Sequence, residues 1–261
     1  MDRISNERGI LKQLEKIILS KRGYIVRVPR NEPVIFVMSG GLDSTIGAAR
    51  AIEEWNCKIY PLFIRRHARA TKYEEVAFDK ISSYFLKKYP NNFYLPKKVE
   101  IEVPPLIFKV GLREERLKKL GHAMRNSTLQ NLAVQYAAWL NDTQNLNIRT
   151  ILAGNVKDDF LPHSSLEAYR AQTILICIDQ NDWKWQLVSP FIEPYFSGRP
   201  LSKKDNILWA IEKGIPLEYT RTCINDCEVA DGTCTECKDR IRAFKEAGVE
   251  DPLIYQGELK R

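Results

Sequence analysis

The first forty residues show two different patterns of hydrophobic and polar positions. Between residues 4 and 20, isoleucines and leucines recur at helical spacing with charges between them, which predicts an amphipathic helix. A short strand is predicted at residues 24–28. Residues 34–38, VIFVM, form an unbroken apolar run, which is typical of a parallel strand buried on both faces.

Strands and helices continue to alternate over most of the remaining chain. Residues 167–178 have helical spacing but a β-branched tail, so helix and strand both remain open there. Residues 194–200 are predicted to form a loop. Strands that alternate with helices form βαβ units, and the predicted fold class is therefore α/β, with a mostly parallel sheet covered by helices on both faces. The other predicted elements are strands at 58–64, 99–103 and 150–153 and helices at 43–55, 72–89, 126–140 and 202–213.

Three segments of different character suggest how the chain is organised. Residues 1–30 carry the amphipathic helix and are predicted to be an N-terminal extension. Residues 31–221 contain the alternating strands and helices and are predicted to form the main domain. Residues 222–261 are polar and cysteine-rich, loop-like as far as Cys237 and then helical through Lys245, so we expect a small C-terminal module.

The loop after the predicted strand at 34–38, SGGLDS at residues 39–44, carries the strongest chemical signal. It lies between a strand and a helix, at the carboxyl edge of the sheet where open α/β sheets bind ligands. Glycines let backbone N–H groups approach an anion, and the following helix N-terminus attracts it. Because Asp43 would repel a phosphate, we expect Mg²⁺ between the two. The alternative is a glycine turn with Asp43 as a helix cap.

SGGLDS resembles the PP-loop of ATP pyrophosphatases, enzymes that split ATP into AMP and pyrophosphate to activate an oxygen for displacement. The resemblance implies a Rossmann-like PP-loop domain, of the adenine nucleotide alpha hydrolase-like class, that binds ATP with Mg²⁺. The residues that it assigns to the nucleotide are Ser39, Gly40, Gly41, Leu42, Asp43, Ser44, Gly154 and Lys203.

A cluster of cysteines indicates a metal site near the C-terminus. Four thiolates suit tetrahedral Zn²⁺, and a loop with few large apolar residues needs a bound metal to hold it folded. Two disulfides or free thiols are the alternative. The predicted site is a closed, structural one, and its ligands are Cys223, Cys227, Cys234 and Cys237.

The segment TCINDCEVADGTCTECKDRIRAFKEAGVEDPLIY resembles the C-terminus of the 7-cyano-7-deazaguanine synthases (QueC-like), a PP-loop family. The family pattern has one Cys, then C-x2-C-x2-C, a basic residue and an AGVxDP ending. The first Cys of that triplet falls on Asp231 here, and Cys227 stands where the family usually has none. We expect Cys227 to supply the fourth zinc ligand because zinc favours a soft thiolate, with an oxygen of Asp231 as the alternative.

Three shorter pieces extend the resemblance in patches over residues 33–255. Arg66-His67 is similar to the family's Gln-Arg-His, Arg125-Asn126 to its Gly-Arg-Asn, and the Leu-Ser-Lys that ends at Lys203 to its Leu-Ser-Lys. The resemblance implies that Lys203 reaches an ATP phosphate. From the residues alone, a solvated loop or helix start explains these charges as well. The residues assigned to catalysis are Asp43, Ser44, Lys203 and Arg125, and those assigned to the substrate in these pieces are Arg66, His67 and Asn126.

The family recognises the base of its substrate with a short stretch, and the corresponding stretch here departs from the family pattern. The family uses Pro-Asp-Cys-Arg there, and in the corresponding residues 159–165, DFLPHSS, the Asp, Cys and Arg are all replaced. Asp159, Phe160 and His163 are the residues we expect to face the substrate. An insertion at residues 194–199 also lengthens the loop before Lys203. The nucleotide half of the resemblance is intact, whereas the substrate half is altered.

The resemblance implies an ATP-dependent carbon–nitrogen ligase. Such an enzyme adenylates the carboxylate of 7-carboxy-7-deazaguanine, and ammonia replaces AMP to give the amide and then the nitrile. Because the base-reading stretch is altered, conjugation of the deazaguanine acyl group to a protein amine is an alternative. A PP-loop enzyme that modifies tRNA is a third hypothesis, and a nucleotide-binding protein without turnover is a fourth.

Composition narrows these functions only slightly. The 261 residues include 40 Lys and Arg against 33 Asp and Glu, a net charge of +7, which suits a nucleotide or RNA but is equally typical of a lysine-rich surface. No apolar run approaches the length of a bilayer span, and the N-terminus has no signal-peptide pattern. We therefore expect a cytoplasmic protein with no membrane partner, and the family resemblance implies a homodimer.

Overall fold

A five-stranded parallel sheet organises the structure, a computed structural model that describes residue 5 and residues 7–256. The spatial order of the strands is β3-β2-β1-β4-β5, and every neighbouring pair is parallel. The predicted α/β class with a parallel sheet is confirmed. The strands are β1 (Pro33–Val37), β2 (Lys58–Arg65), β3 (Lys97–Glu100), β4 (Thr150–Leu152) and β5 (Gln186–Val188).

Helices connect these strands and cover both faces of the sheet. Residues 1–4, 6 and 257–261, which belong to the predicted first helix, N-terminal extension and C-terminal module, lie outside the described residues. The described residues form the helices α1 (Arg8–Arg22), α2 (Leu42–Trp55), α3 (Thr71–Lys88), α4 (Leu106–Lys109), α5 (Glu114–Leu120), α6 (Arg125–Gln144), α7 (Leu166–Asp179), α8 (Pro194–Ser197), α9 (Lys203–Glu212) and α10 (Thr235–Ala247).

The central strand β1 is buried on both faces, as its unbroken apolar run predicts. Successive side chains of a strand point to opposite faces. Val34 and Phe36 therefore enter the core on one side of the sheet, and Ile35 enters the core on the other side. On the first side α2 packs Ile46 into the same core, which holds the start of that helix close to the end of β1.

The strand order reverses at β1, and this reversal creates the crevice that the site uses. β1 pairs with β2 through Val37 and Leu62 on one side, and with β4 through Phe36 and Leu152 on the other. In open α/β sheets the connections leave such a switch point in opposite directions, so a gap opens at the carboxyl ends of the strands. Residues 39–44 lie at this gap.

Predictions of local structure need correction or completion at several points: the strand predicted at 99–103 lies at Lys97–Glu100, and the short helices α4 and α5 were not predicted. The strand predicted at residues 24–28 is wrong, because the Gln186 side chain bonds the N–H and C=O of Arg27 in place of a neighbouring strand. Residues 167–178 are helical. Residues 194–200, predicted as a loop, begin with the short helix α8. The three-residue strand β5 was not predicted.

The helix α1 packs on α7 through buried polar contacts. Arg170 is buried in α7, and its guanidinium lies 3.2 Å from Glu15 of α1 and 2.7 Å from the buried Glu193. At the end of α1, Arg22 donates hydrogen bonds to backbone carbonyls, among them that of Trp185 at 2.6 Å. The boundaries drawn at residues 30 and 221 stay predictions. Within the described part of the chain, every helix is too short or too polar to span a bilayer.

Candidate functional site

A cavity of about 500 Å³ opens at the carboxyl edge of the sheet, at the switch point. Its floor is the loop at residues 39–44 and the segment 153–155 that follows β4. The start of α6 and the segment after β2 form one wall, and residues of the predicted C-terminal module form the other. Of the loop residues assigned to the nucleotide, all but Gly40 line this cavity, together with Gly154 and Lys203.

The loop itself is held rigidly by its own backbone and serine hydroxyls. Ser44 Oγ donates to the Gly41 carbonyl at 3.2 Å and accepts from the Ser39 N–H at 3.2 Å. Gly40 has a φ of 73°, and a Cβ there would lie 2.5 Å from the carbonyl oxygen of Glu74. Only glycine fits that position, so the shape of the loop at residues 39–44 depends on this glycine.

Asp43 is the charged residue of the loop, and neighbouring groups balance its negative charge only in part. Its Oδ2 lies 3.8 Å from Lys203 Nζ, while its buried Oδ1 has no hydrogen-bond partner among the described residues. Burial raises the pKa of Asp43 to about 6, although Lys203 opposes the shift. A buried carboxylate oxygen with no partner, next to a phosphate-binding type of loop, fits Mg²⁺.

Lys203 reaches Asp43 from the first residue of α9. A capping box fixes this helix start, since the Ser202 side chain accepts from the Asp205 N–H and Asp205 accepts from the Ser202 N–H. Burial lowers the pKa of Lys203, but Asp43 and Asp159 outweigh this and raise it overall. Lys203 therefore stays a cation beside the loop.

Arg125 is a half-buried cation that forms no ion pair with an acidic side chain of the described residues. Within residues 7–256, its guanidinium makes one hydrogen bond, to Asn126 Oδ1 at 3.2 Å, and no ion pair. Burial lowers the pKa of Arg125 to about 10 and Arg66 adds to this effect, whereas the carboxylates of Glu74 and Glu236 oppose it. A half-buried guanidinium that makes no ion pair has donors left for a ligand, so the position favours an anionic group. This arrangement suits the catalytic assignment of Arg125, which stays a prediction.

Several residues that line the cavity were not among those predicted from the sequence. Arg221 connects the loop to the cysteine cluster, because its N–H donates to the Gly40 carbonyl at 2.8 Å and its guanidinium donates to the Cys227 carbonyl at 2.6 Å. Its position directly before Thr222-Cys223 was the available signal. The other missed lining residues include Gln130, Asn155, Thr222, Glu236 and Arg240.

The residues assigned to the substrate are divided between the cavity and its surroundings. Arg66 and Asn126 line the cavity, and Arg66 pairs with Glu74 at 2.8 Å. His67 is outside the lining and lies 3.0 Å from Glu100 at the surface.

The stretch at residues 159–165 also lies outside the cavity lining. Asp159 Oδ2 accepts hydrogen bonds from the Val156 N–H and the Asn155 side chain, and Phe160 is exposed. His163 packs near Gly121, where burial lowers its pKa to about 4. The structure therefore gives Asp159 a local hydrogen-bonding role, and among these substrate candidates the cavity gathers only Arg66 and Asn126.

The cysteine cluster brings four ligand atoms within 4.8 Å of one another, from Cys223, Asp231, Cys234 and Cys237. Cys227 is outside this group, although its Sγ lies 3.6 Å from that of Cys223. The geometry thus favours Asp231, which was the alternative, over Cys227 as the fourth ligand. Three thiolates and one carboxylate fit Zn²⁺, which accepts sulfur and oxygen ligands.

Gly154 packs so closely on the loop that a methyl group there would displace it. A Cβ at residue 154 would lie 3.0 Å from the Cα and N of Ser44. We expect Gly154→Ala to raise the KM for ATP about 10-fold, because small displacements of a binding group are costly. The KM is measured from AMP formation, with Gly9→Ala as the control, since a Cβ at residue 9 meets nothing within 4 Å. An unchanged KM would contradict the expectation that the packing of residue 154 on the loop matters for ATP binding.

Comparison with known proteins gives a consistent set of relatives. A 7-cyano-7-deazaguanine synthase of Campylobacter curvus (strain 525.92) is 26% identical over 230 residues, which cover 85% of this chain and 96% of the relative. One from Methanosarcina barkeri (strain Fusaro / DSM 804) is 25% identical over 240 residues, 84% of this chain and 96% of the relative. One from Clostridium kluyveri is 44% identical, but over only 57 residues, 22% of this chain and 25% of the relative.

Solved structures and family descriptions complete the comparison. The U34-tRNA thiolase NcsA from Methanococcus maripaludis with its 4Fe-4S cluster aligns with a TM-score of 0.42 and 14% identity, covering 92% of this chain and 74% of that chain. Residues 33–248 match the family described as "Queuosine biosynthesis protein QueC". This match spans most of the chain and confirms the resemblance that the PP-loop and the cysteine tail indicated. The chain belongs to the QueC family.

Proposed function

We propose that the protein is an ATP-dependent ligase that converts 7-carboxy-7-deazaguanine to 7-cyano-7-deazaguanine. The carboxylate of the base attacks the α-phosphate of ATP, and pyrophosphate leaves. Ammonia then displaces AMP from the acyl adenylate to give the amide. A second adenylation, on the amide oxygen, followed by loss of AMP gives the nitrile. One observation carries this proposal: a rigid glycine loop, the Lys203–Asp43 pair and the unpaired Arg125 line the same cavity.

The loop and Lys203 serve the pyrophosphate leaving group. Backbone N–H groups at the start of α2 and the positive end of its dipole stabilise negative charge there. Lys203 Nζ lies within reach of the same place and donates to the phosphate oxygens that gain charge as pyrophosphate departs. Mg²⁺, when it is bound at Asp43, supplies further neutralisation of the phosphates.

Arg125 serves the α-phosphate and the carboxylate that attacks it. Both groups are anions, and bringing them together is the main electrostatic obstacle of the adenylation step. A half-buried guanidinium that makes no ion pair with the protein needs little reorganisation when the charge develops. Catalysis is therefore mainly positioning and electrostatic stabilisation.

The cysteine cluster is proposed to be a structural zinc site. Cys223, Cys234, Cys237 and Asp231 would hold the ion, and no open coordination position for substrate is needed. The ion supplies the folding energy of a segment that is poor in large apolar residues. That segment, in turn, brings Arg221 and its neighbours to the cavity wall.

Mass spectrometry of a complete reaction tests the proposed function. Purified protein is incubated with ATP, Mg²⁺, ammonium and 7-carboxy-7-deazaguanine, and all products and the protein itself are weighed. We expect AMP, pyrophosphate and the free nitrile. AMP together with a mass increase of a protein would instead show transfer to a protein amine. Absence of AMP would refute the proposal.

A matched pair of lysine variants shows whether any AMP comes from the described site. Lys203→Met should reduce AMP formation about 100- to 1,000-fold, because it removes a donor that faces developing charge. Lys204→Met removes the neighbouring exposed lysine and should leave AMP formation unchanged. Equal rates for the two variants would contradict the role of Lys203.

A further inference from the structure

Glu236 is a carboxylate that the proposed reaction does not yet use. It lies in the first turn of α10 and lines the cavity. Its Oε2 is buried and has no hydrogen-bond partner among the described residues. The Glu236 side chain also forms no ion pair with them. An unpartnered carboxylate in a cavity wall is unusual, because most buried polar atoms are hydrogen-bonded.

The other charged groups of the cavity are largely engaged within the protein. Arg66 pairs with Glu74, Arg240 pairs with Asp251, and Lys203 faces Asp43. The guanidinium of Arg221 is taken up by backbone carbonyls. Among the described residues that line the cavity, Arg125 and Glu236 are left without such a partner. These two groups interact with each other through their opposite charges but form no hydrogen bond or ion pair together, so the site offers one cation and one carboxylate to a ligand.

This pair of charges is complementary to a particular kind of ligand. A carboxylate only accepts hydrogen bonds, and its two oxygens suit two adjacent N–H donors. A guanine-type ring presents such a pair, the N1–H and the 2-amino group, side by side on one edge. Adenine presents a single amino group flanked by acceptors, which a carboxylate would repel. A carboxylated deazaguanine carries the two donors at one end and an anion at the other.

We infer that Glu236 binds the N1–H and 2-amino edge of the base, and that it determines specificity for a guanine-type substrate. This inference rests on the proposed function and names the residue that reads the base. The stretch at residues 159–165, which the resemblance assigned to the base, does not line the cavity. Glu236 stands between Cys234 and Cys237, and Cys234 caps the helix by accepting from the Cys237 N–H. These contacts fix the backbone that carries the carboxylate, as a recognition residue requires.

Glu236→Gln tests the inference with little change of shape. The amide replaces one acceptor by a donor that would face the donors of the base. We expect kcat/KM for 7-carboxy-7-deazaguanine to fall about 10- to 100-fold, while the KM for ATP and the KM for ammonium remain unchanged. Glu246→Gln, an exposed acid on the same helix, is the matched control and should behave like the wild type.

A substrate analogue that lacks the 2-amino group separates recognition from a structural effect. The wild type should lose about 10- to 100-fold in kcat/KM with the analogue, because the carboxylate is left partly unpaired. Glu236→Gln should show a much smaller additional loss, since the two changes remove the same contact. A full penalty in both proteins, or a change confined to ATP or ammonium, would overturn the inference. No AMP from the wild type with 7-carboxy-7-deazaguanine would instead refute the proposed function itself.

Discussion

Asp43→Asn should abolish AMP formation and, at the same time, stabilise the ligand-free protein. The carboxylate is the only acidic side chain of the loop at residues 39–44, and it has one buried oxygen without a partner. Asparagine has the same shape but binds Mg²⁺ poorly, so the rate of AMP formation should fall at least about 1,000-fold. Functional sites often retain groups that cost stability.

The gain in stability follows from the pKa of Asp43. Burial raises this pKa from 3.8 to about 6, so at neutral pH the folded state holds an ionised carboxylate that it disfavours. Removing the charge should raise the free energy of unfolding by about 1–2 kcal/mol, after allowance for the partial exposure of the side chain.

The effect of Asp43→Asn on the free energy of unfolding should depend on pH in a defined direction. The folded pKa lies above the unfolded value, so the cost of the charge is complete above about pH 6 and disappears as the pH falls below 3.8. The stability difference between Asp43→Asn and the wild type should therefore be largest at neutral pH and shrink on acidification. Urea unfolding without nucleotide and Mg²⁺ measures it, with the exposed Asp142→Asn as the control. A destabilised Asp43→Asn protein would contradict the account.

The parts of the fold that the sequence predicted are those in which local pattern and tertiary environment agree. β1 is apolar on both faces because both faces are buried, and the loop glycines are required by the backbone that they form. The strand predicted at residues 24–28 failed because the Gln186 side chain satisfies that backbone. β4 is equally short but is followed by Gly154, which marks its end, whereas β5 begins with the polar Gln186 and was not predicted.

The residues of the candidate site also differ in how far the sequence predicted them. The loop at residues 39–44 is contiguous in the sequence and was therefore recognisable. Arg221 and Glu236 become cavity residues only because the C-terminal segment folds back over the loop, and the bond from the Arg221 N–H to the Gly40 carbonyl is a contact between distant positions. The position of Arg221 directly before Thr222-Cys223 is a local signal, but a single sequence does not indicate that this segment returns to the loop. The proposed recognition of the base by Glu236 depends on this part of the site.

Asp231 and Cys227 should respond in opposite ways when the cysteine cluster is mutated. Cys227→Ser should retain zinc, because its sulfur lies outside the group of four ligand atoms. Asp231→Asn should retain much less, since an amide is a poor zinc ligand, and Asp231→Cys should bind zinc at least as tightly as the wild type. Metal content after dialysis against a chelator measures each case.

Loss of the zinc should also inactivate the site at a distance. The segment proposed to bind zinc carries Glu236, which lines the cavity, and it directly follows Arg221, whose N–H donates to the Gly40 carbonyl. When the segment unfolds, these contacts are lost together, so Cys237→Ser should reduce AMP formation more than about 100-fold and expose the chain after residue 221 to proteases. Zinc loss in Cys227→Ser with retention in Asp231→Asn would show that the fourth ligand is the thiolate. Full activity of a zinc-free protein would show that the segment folds on its apolar contacts alone.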